Sequence, residues 1–351
     1  MSLNTPPAAY TPPLGRVTIT DVARIAGVSV STVSKVVNGR DGIAAATAEH
    51  VLGVVNDLGY ETSIVASSLR RSHTGVIGVL VADFEPYSTE LLKGISNAAE
   101  GTGYELLAYA GGNDGKRTDW ERRSLSRLGG TLIDGAVVVA PTASMASGTG
   151  IPVVAIDPHS GAESVPTVDG DNVGGARAAT ELLVGLGHRR IAYLGGRDGL
   201  ESSRLRHAGY LQALEAAGIP ADAKLDRVGG YRADLSDAPA HELLRLPTGE
   251  RPTAVFAAND LSALHVMEVA RELGLRIPQD LSVVGFDDIP ESTRSTPPLT
   301  TVTQPLQQMG AEALRILLAL LAGSPVEEQH RRLPASLTVR ESVARPGGEP
   351  L

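Results

Sequence analysis

The segment VTITDVARIAGVSVSTVSKVVNG, residues 17–39, decides the architecture of the first part of the chain, because it has the pattern of two short helices joined by a tight turn. Val22, Ile25 and Ala26 follow the i, i+3, i+4 spacing of one apolar helix face. Gly27 follows, and glycine readily takes the positive φ with which a helix commonly ends. The segment therefore predicts a helix-turn-helix.

The second helix of this segment has one side that can be buried and one that stays open. Ser29 is a suitable N-cap, and Val33, Val36 and Val37 can pack on the first helix. The open side carries the side chains that a recognition helix would present to the major groove: Val30, Ser31, Ser34 and Lys35. A helical hairpin with no nucleic-acid role is the alternative. Residues 45–60 favour DNA binding, because they add a third amphipathic helix and so complete a small headpiece.

Composition excludes several classes of protein. The 351 residues contain no cysteine, which rules out disulfides, thiolate metal sites and cysteine nucleophiles. The eight histidines do not fall into a metal-ligand spacing, so we expect no metal site and no cofactor. The net charge of −9 argues against a general polyanion-binding protein. Residues 1–74 nevertheless hold six Lys/Arg against five Asp/Glu, a charge of +1, which leaves −10 on the remainder.

The sequence shows no targeting signal and no predicted membrane span. Residues 1–16 are proline-rich and lack an apolar stretch, which is typical of a disordered tail and not of a secretory signal. No apolar run is long enough to predict a membrane span. We expect a cytoplasmic protein with no membrane partner.

From Gly75 onward, short apolar runs alternate with amphipathic helices. This alternation predicts parallel βαβ units in two doubly wound lobes, with a break near Val165–Asp171. The predicted strands are Val76–Ala82, Glu105–Ala110, Gly135–Ala140, Pro152–Asp157, Arg190–Gly196, Thr253–Asn259 and Ser282–Asp288. The predicted helices are Ser88–Gly101, Asp119–Leu128, Gly174–Leu186, Arg204–Ala217, Leu261–Leu273 and Met309–Leu321. We expect LTTVTQP, residues 299–305, and the last helix to cross back to the first lobe, and a ligand cleft at the carboxyl ends of the strands.

Over residues 17–342 the sequence resembles the LacI/GalR family of bacterial transcription regulators. The motifs that carry the resemblance are DVARIAGVSVSTVSKVVNG, VASSLR, GHRRIAYLGG, RLRHAGY, FAANDLSA and SVVGFDDIPESTRSTPPLTTV. It implies an N-terminal all-α helix-turn-helix headpiece plus an α/β core of two doubly wound parallel-sheet lobes, similar to the periplasmic sugar-binding proteins. The expected boundaries are a tail at 1–16, the DNA-binding domain at 17–63, a hinge helix and linker at 64–74, an effector-binding and dimerisation core at 75–344, and a tail at 345–351.

The resemblance also assigns DNA contacts. The expected set is Thr18, Ser29, Val30, Ser31, Thr32, Ser34, Lys35, Asn38, Leu69 and Arg70. Within it, Val30, Ser31 and Lys35 lie where recognition-helix side chains meet bases, and because the first two are small we expect DNA shape to contribute to readout. The segment Ile64–Arg70 matches a hinge helix that orders on DNA. Leu69 stands at the wedge position that enters the minor groove, although an ordinary core leucine is the alternative.

The family's effector-contacting positions fall after predicted strands or at helix starts. The expected contacts are Asp157, Arg206, Asn259 and Asp287, with Phe84, Tyr87 and Tyr231 to cover an apolar sugar face. Carboxylates, an amide and a guanidinium suit sugar hydroxyls, because each hydroxyl both donates and accepts hydrogen bonds. Structural roles are the alternatives: a turn at Asp157, a surface ion pair of Arg206 with Glu201 or Asp157, and caps at Asp287 and Asp288.

Two neighbouring polar residues are expected to have structural roles only. Asp260 is predicted to N-cap its helix, and His159 is predicted to be a surface loop residue. An enzyme is disfavoured, because Asp157 and Asp287 would lie on opposite lobes without a nucleophile elbow, phosphate loop or metal cluster. A transporter's solute-binding protein would need an export signal and no headpiece.

The sequence thus predicts a repressor of carbohydrate-utilisation genes, which binds a palindromic operator in double-stranded DNA as a homodimer. Its small-molecule effector is expected to be a sugar or small oligosaccharide that changes DNA affinity. The alternative is a sensor of the same architecture for a non-sugar small molecule. Residues 339–351 contain no leucine heptads, so we expect a dimer and not a tetramer.

Overall fold

A computed structural model describes residues 17–60, 73–111, 120–142, 150–159 and 165–348. The chain divides into two units, Met1–Thr74 and Gly75–Leu351. The predicted tail at 1–16 and hinge segment Ile64–Arg70, with Leu69 and Arg70, lie outside the described residues.

The described part of the first unit forms the helices α1 (Ile19–Ala26), α2 (Val30–Val37) and α3 (Ala45–Asp57). Gly27 ends α1 with φ 65°, and the Ser29 hydroxyl accepts a hydrogen bond from the Thr32 N–H at 3.1 Å, which confirms both predicted helix boundaries. The predicted third helix is present but ends at Asp57, three residues short of Tyr60.

The apolar face of α1 differs from the prediction. Val22, Ala23 and Ala26 are buried, whereas Ile25 is 37% exposed. At 100° per residue, positions 22, 23 and 26 share one side of the helix and position 25 lies at its flank. Ala23 therefore takes the place predicted for Ile25. The core is completed by Val33 of α2 with Val36 and Val51.

The second unit is built on twelve strands within the described residues. They are β1 (Val76–Val81), β2 (Glu105–Ala110), β3 (Gly135–Val139), β4 (Val153–Ile156), β5 (Thr167–Gly170), β6 (Ile191–Gly195), β7 (Asp226–Val228), β8 (Ala254–Ala257), β9 (Ser282–Asp287), β10 (Thr300–Thr303), β11 (His330–Leu333) and β12 (Ser336–Thr338). The helices of this unit are α4 (Pro86–Ala99), α5 (Trp120–Leu128), α6 (Asn172–Gly185), α7 (Glu201–Ala216), α8 (Ala233–Leu244), α9 (Asp260–Glu272), α10 (Pro290–Arg294) and α11 (Leu306–Leu321).

These strands form two six-stranded sheets, each the centre of one lobe. Lobe 1 has the order β11-β5-β4-β3-β1-β2, with parallel pairs throughout. Lobe 2 has the order β12-β10-β9-β8-β6-β7, parallel except that β12 runs antiparallel to β10. Buried strands such as β1 are apolar throughout, because helices cover both faces of a doubly wound sheet.

The chain passes between the lobes three times within the described residues: after β5, after β10 and after β11. The helix α11 packs on lobe 1, as predicted, through Met309, Leu314 and Leu317. The strand β10 in LTTVTQP does not cross with it but pairs with β9 in lobe 2, which corrects that part of the prediction. None of the helices in the described part of the chain has the length and apolar character that a bilayer crossing requires.

Candidate functional sites: an exposed helix face and an interlobe cleft

The open side of α2 is exposed, as its sequence pattern predicts. Val30 is 42% exposed, and Ser31 and Lys35 are exposed as well. Ser34 is half-buried, and its backbone carbonyl accepts a hydrogen bond from the Asn38 amide. This face offers small hydroxyls and one cation, which is a surface suited to base edges and phosphates.

Some of the hydroxyls predicted at the DNA also have local partners. Thr18 caps α1: its hydroxyl accepts from the Asp21 N–H at 3.3 Å and donates to the Asp21 carboxylate at 2.7 Å. The Ser29 hydroxyl lies 2.8 Å from that of Ser31 and 2.9 Å from that of Thr32. These bonds fix the start of each helix, so the same residues have a structural role beside the predicted one.

A pocket lies between the two lobes of the core, where strands of both sheets end. It encloses about 580 Å³, its open mouth included. The structure brings six of the seven predicted effector residues into its lining: Tyr87, Asp157, Arg206, Tyr231, Asn259 and Asp287. Phe84 is not among the lining residues. It is 50% exposed and borders a separate hollow with Lys93 and Arg294.

On lobe 2, Arg206 forms a network of hydrogen bonds through its Nε and Nη1. Its Nε donates to Asn172 Oδ1 at 2.8 Å, and its Nη1 donates to the Ala258 carbonyl and to Asp287 Oδ1, the latter at 3.3 Å. The guanidinium also lies 3.8 Å from the centre of the Phe286 ring. Arg206 is 3% exposed, so the predicted alternative of a surface ion pair with Glu201 or Asp157 is wrong.

The other lobe 2 residues that line the cleft also have hydrogen-bond partners, whereas Gln304 beside them keeps its Oε1 buried without a partner in the described part of the chain. Gln304 Nε2 donates to Asp287 Oδ1 at 2.8 Å. Asn259 Oδ1 accepts from the Ser262 N–H at 3.1 Å, and its Nδ2 donates to the Tyr231 carbonyl at 3.0 Å. Asn259 is therefore the N-cap of α9, a position that the sequence assigned to Asp260.

Asp260 has a different role from the predicted one. It is fully buried and accepts hydrogen bonds from the Ile289 N–H at 2.9 Å and from the Thr301 hydroxyl. These bonds connect the start of α9 to the loop after β9 and to β10. Asp288 does not cap α10, whose N-cap is Ile289 without a side-chain hydrogen bond. Its Oδ1 instead accepts from the Ser292 hydroxyl at 3.1 Å and from Arg340 at 2.6 Å.

On lobe 1, the Asp157 carboxylate is only partly satisfied. Its Oδ2 accepts a hydrogen bond from the Tyr87 hydroxyl. Its Oδ1 is buried and has no hydrogen-bond partner within the described residues. The nearby backbone N–H of Gly170 acts to lower the pKa of this carboxyl, against the larger effect of burial, which raises it. His159, which the sequence placed on the surface, lines the same pocket, and its Nδ1 is likewise buried without a partner in the described part of the chain.

The backbone at the cleft is strained where the strands end. Among the described residues, the non-glycine positions with positive φ are Ala140, Asp157, Tyr231, Asp287 and Asp288. The first four line the pocket. Ala140 and Asp157 directly follow strands, Asp287 ends one, and Tyr231 lies three residues after β7. Such conformations cost free energy and cluster where a ligand site requires a particular side-chain direction.

Acidic side chains outnumber basic ones in the cleft, with three carboxyl groups and one arginine in its lining. Burial raises the pKa of Asp287 to about 6, although Arg206 opposes the shift, and burial also raises the pKa of Asp157. Burial, with the charges of Asp287 and Asp83, raises the pKa of Glu85 to about 7. Burial lowers the pKa of His159 to about 4, so this imidazole is neutral at pH 7. A ligand that donates hydrogen bonds would favour the ionised carboxylates.

Sequence reasoning missed Glu85, His159 and Ser202 among the pocket residues. Glu85 occupies the N-cap position of α4 but its side chain makes no capping hydrogen bond, and it lines the pocket instead. Ser202 lies 3.1 Å from the Tyr231 hydroxyl. The position of Glu85 directly before the helix-starting Pro86 was the available signal for the first of them.

Comparison with known proteins agrees with this architecture. Residues 18–63 match the model of bacterial regulatory proteins of the lacI family, and residues 180–343 match the periplasmic binding protein-like domain. The HTH-type transcriptional regulator CelR of Thermobifida fusca is 35% identical over 342 residues, covering 93% of this chain and 98% of that protein. The chain belongs to the lacI family of bacterial regulatory proteins. This lacI-family chain is accordingly a DNA-binding regulator of transcription.

Solved structures extend the match to the whole fold of the lacI family. A transcriptional regulator CelR–cellobiose complex is 33% identical with a TM-score of 0.70, covering 93% of this chain and 100% of that one. The lac repressor dimer bound to operator and the anti-inducer ONPF is 29% identical with a TM-score of 0.76, covering 94% and 100%. The predicted family and fold class are confirmed.

Proposed function

We propose that this chain is a dimeric repressor of carbohydrate-utilisation genes, which binds a palindromic operator and changes its operator affinity when a sugar or small oligosaccharide enters the interlobe cleft. The observation that carries the proposal is the unpaired oxygen of Asp157 on lobe 1, in the same pocket as the Arg206–Asp287 pair of lobe 2. A ligand that bonds to both lobes would bias how they meet, and ligand-dependent closure is a common way to switch a distant function.

The chemistry of the lining favours a sugar. Asp157 and Glu85 offer acceptors, Arg206 offers a donor, and Tyr87 with Tyr231 offers apolar ring surface. A phosphorylated or carboxylated ligand would meet three acids and one arginine, which is unfavourable. The relative that is solved with cellobiose supports the same class of ligand.

Binding of sugars can be tested by melting the full-length protein with a panel of mono- and disaccharides. We expect at least one sugar to raise the melting temperature, because a ligand that binds only the folded state stabilises it by mass action. If no sugar raises the melting temperature but a non-sugar metabolite does, the protein is a sensor of a non-sugar small molecule instead.

The DNA-binding part of the proposal rests on the exposed face of α2 and on the predicted wedge at Leu69. Selection from random duplexes is expected to recover two inverted half-sites. Leu69→Ala is expected to weaken operator binding about a hundredfold and to change non-specific binding little, because an inserted side chain contributes only on the bent operator. Recovery of one asymmetric half-site, or an operator affinity unchanged in the variant, would contradict the dimeric, wedge-dependent assignment.

A further inference from the structure

A second pocket adjoins the first one at Asp157 and Ser202, which line both. It has an open volume of about 500 Å³ and is formed by both lobes. Lobe 1 contributes Pro158 after β4 and Arg332 of β11, while Ser202 lies in the first turn of α7 in lobe 2. The two pockets are therefore neighbours along the cleft and have one carboxylate between them.

The shared carboxylate is the group that indicates a ligand. Asp157 is 8% exposed, and one of its oxygens is held by Tyr87, which lines the first pocket only. The other oxygen, Oδ1, is buried without a hydrogen-bond partner in the described part of the chain. Leaving a buried carboxylate oxygen unpaired is unfavourable, so a donor supplied from outside the protein is expected there.

The rest of the second pocket has the mixed character that a sugar ring needs. Pro158 and Leu205 provide apolar surface, and Asp169, Glu201 and Arg332 provide acceptors and a donor. The polar groups are free to rearrange toward a ligand, because their present ion pairs are exposed and such pairs contribute little. Arg332, whose side chain is 62% exposed, binds Asp169 at 3.0 Å, and Glu201 binds the exposed Arg204.

We propose that this second pocket is a glycosyl subsite, so that the effector is a di- or oligosaccharide with one ring beside Arg206 and the next beside Arg332. Asp157 Oδ1 then accepts a hydrogen bond from a sugar hydroxyl close to the glycosidic linkage. This inference rests on the proposed sugar response and adds the length of the sugar and the residues that recognise its second ring.

The test is calorimetric titration of the full-length protein with matched sugars: glucose against cellobiose and maltose, and galactose against lactose and melibiose. At least one disaccharide is expected to bind ten times more tightly, or better, than either of its monosaccharides. Arg332→Ala is expected to weaken that disaccharide about tenfold, the loss of roughly one hydrogen bond to a charged group, and to leave monosaccharide binding unchanged.

Arg331→Ala is the matched control. Arg331 is the neighbouring residue of β11, points to the opposite face of the sheet, and pairs with Glu328 outside the second pocket. Both variants replace exposed side chains and should melt like the parent protein. Monosaccharides that bind as tightly as the best disaccharide, or equal effects of the two variants, would overturn the subsite alone. Absence of binding by every sugar would overturn the proposed function as well.

Discussion

The two lobes present different chemistry to the same cleft. On lobe 2, the pocket residues Arg206, Asn259 and Asp287 already have hydrogen-bond partners within that lobe. Gln304 Oε1 of lobe 2 is buried without a partner within the described residues, but Gln304 does not line the pocket. On lobe 1, Asp157 Oδ1 and His159 Nδ1 are buried without partners within the described residues. Lobe 2 is thus a prepared surface, and lobe 1 is a surface that a ligand would complete. The difference predicts that substitutions on lobe 2 act on stability, whereas those on lobe 1 act on ligand binding.

The largest expected effect is a loss of stability caused by a substitution on lobe 2. Arg206→Ala is expected to lower the free energy of unfolding by about 3–5 kcal/mol, because it leaves Asp287 buried without its partner. Urea unfolding followed by circular dichroism measures this. Arg204→Ala is the control on the same helix: its ion pair with Glu201 is exposed, so the change should stay within about 0.5 kcal/mol. Equal losses in the two variants would remove the distinction between the lobes.

The next effect separates binding from stability on lobe 1. Asp157→Asn is expected to weaken sugar binding about 10- to 100-fold, since hydrogen bonds to a charged group contribute about 1.5–3 kcal/mol. The melting temperature without sugar should stay equal or rise, because burial raises the pKa of Asp157 and its charge disfavours the folded state at pH 7. Asp198→Asn, an exposed carboxylate outside this pocket, serves as the control. A destabilised Asp157→Asn protein would show that lobe 1 is as dependent on its polar bonds as lobe 2.

The smallest effect is a pH dependence. The folded-state pKa of Glu85, about 7, lies above its ordinary value of 4.5. Its contribution to stability is therefore greatest at low pH and is lost as the pH rises through 7. Between pH 6 and pH 8 this amounts to roughly 1 kcal/mol. The free energy of unfolding, measured with urea at both pH values, should therefore fall less between pH 6 and pH 8 in Glu85→Gln than in the parent protein. An unchanged profile would mean that the Glu85 carboxyl is solvated.

The sequence predicted the elements whose apolar pattern is strong and missed those whose pattern is weak. β1, β3 and β9 are buried throughout and were found within a residue or two. β7, β11 and β12 are short and largely polar strands toward the sheet edges, so no alternation revealed them. The helix α8 was missed because Pro239 lies inside it, where proline ordinarily argues against a helix.

The candidate site was predictable only where strand ends and the family pattern coincide. Asp157, Arg206 and Asp287 fall at such positions, and the structure places them around one pocket. The local sequence does not reveal which of these side chains has hydrogen-bond partners for all its polar atoms. The difference between Asp287 and Asp157 arises from residues distant in the chain, Gln304 for the first and Tyr87 for the second. For the same reason the role of Asp260 was assigned wrongly, and the sequence did not show that the half-exposed loop residue His159 lines the pocket.

The central claim is that a sugar completing lobe 1 changes operator affinity, and fluorescence anisotropy of a labelled operator duplex tests it most directly. The duplex is titrated with the parent protein and with Asp157→Asn, each with and without the sugar identified by melting. The parent should shift in operator affinity by about 5- to 150-fold on adding sugar, the usual range of allosteric coupling. Asp157→Asn should bind the operator equally well without sugar and show almost none of the parent's shift at the sugar concentration that half-saturates the parent, because its sugar affinity is expected to be about 10- to 100-fold lower. A variant that retains the full shift at that concentration would contradict the account.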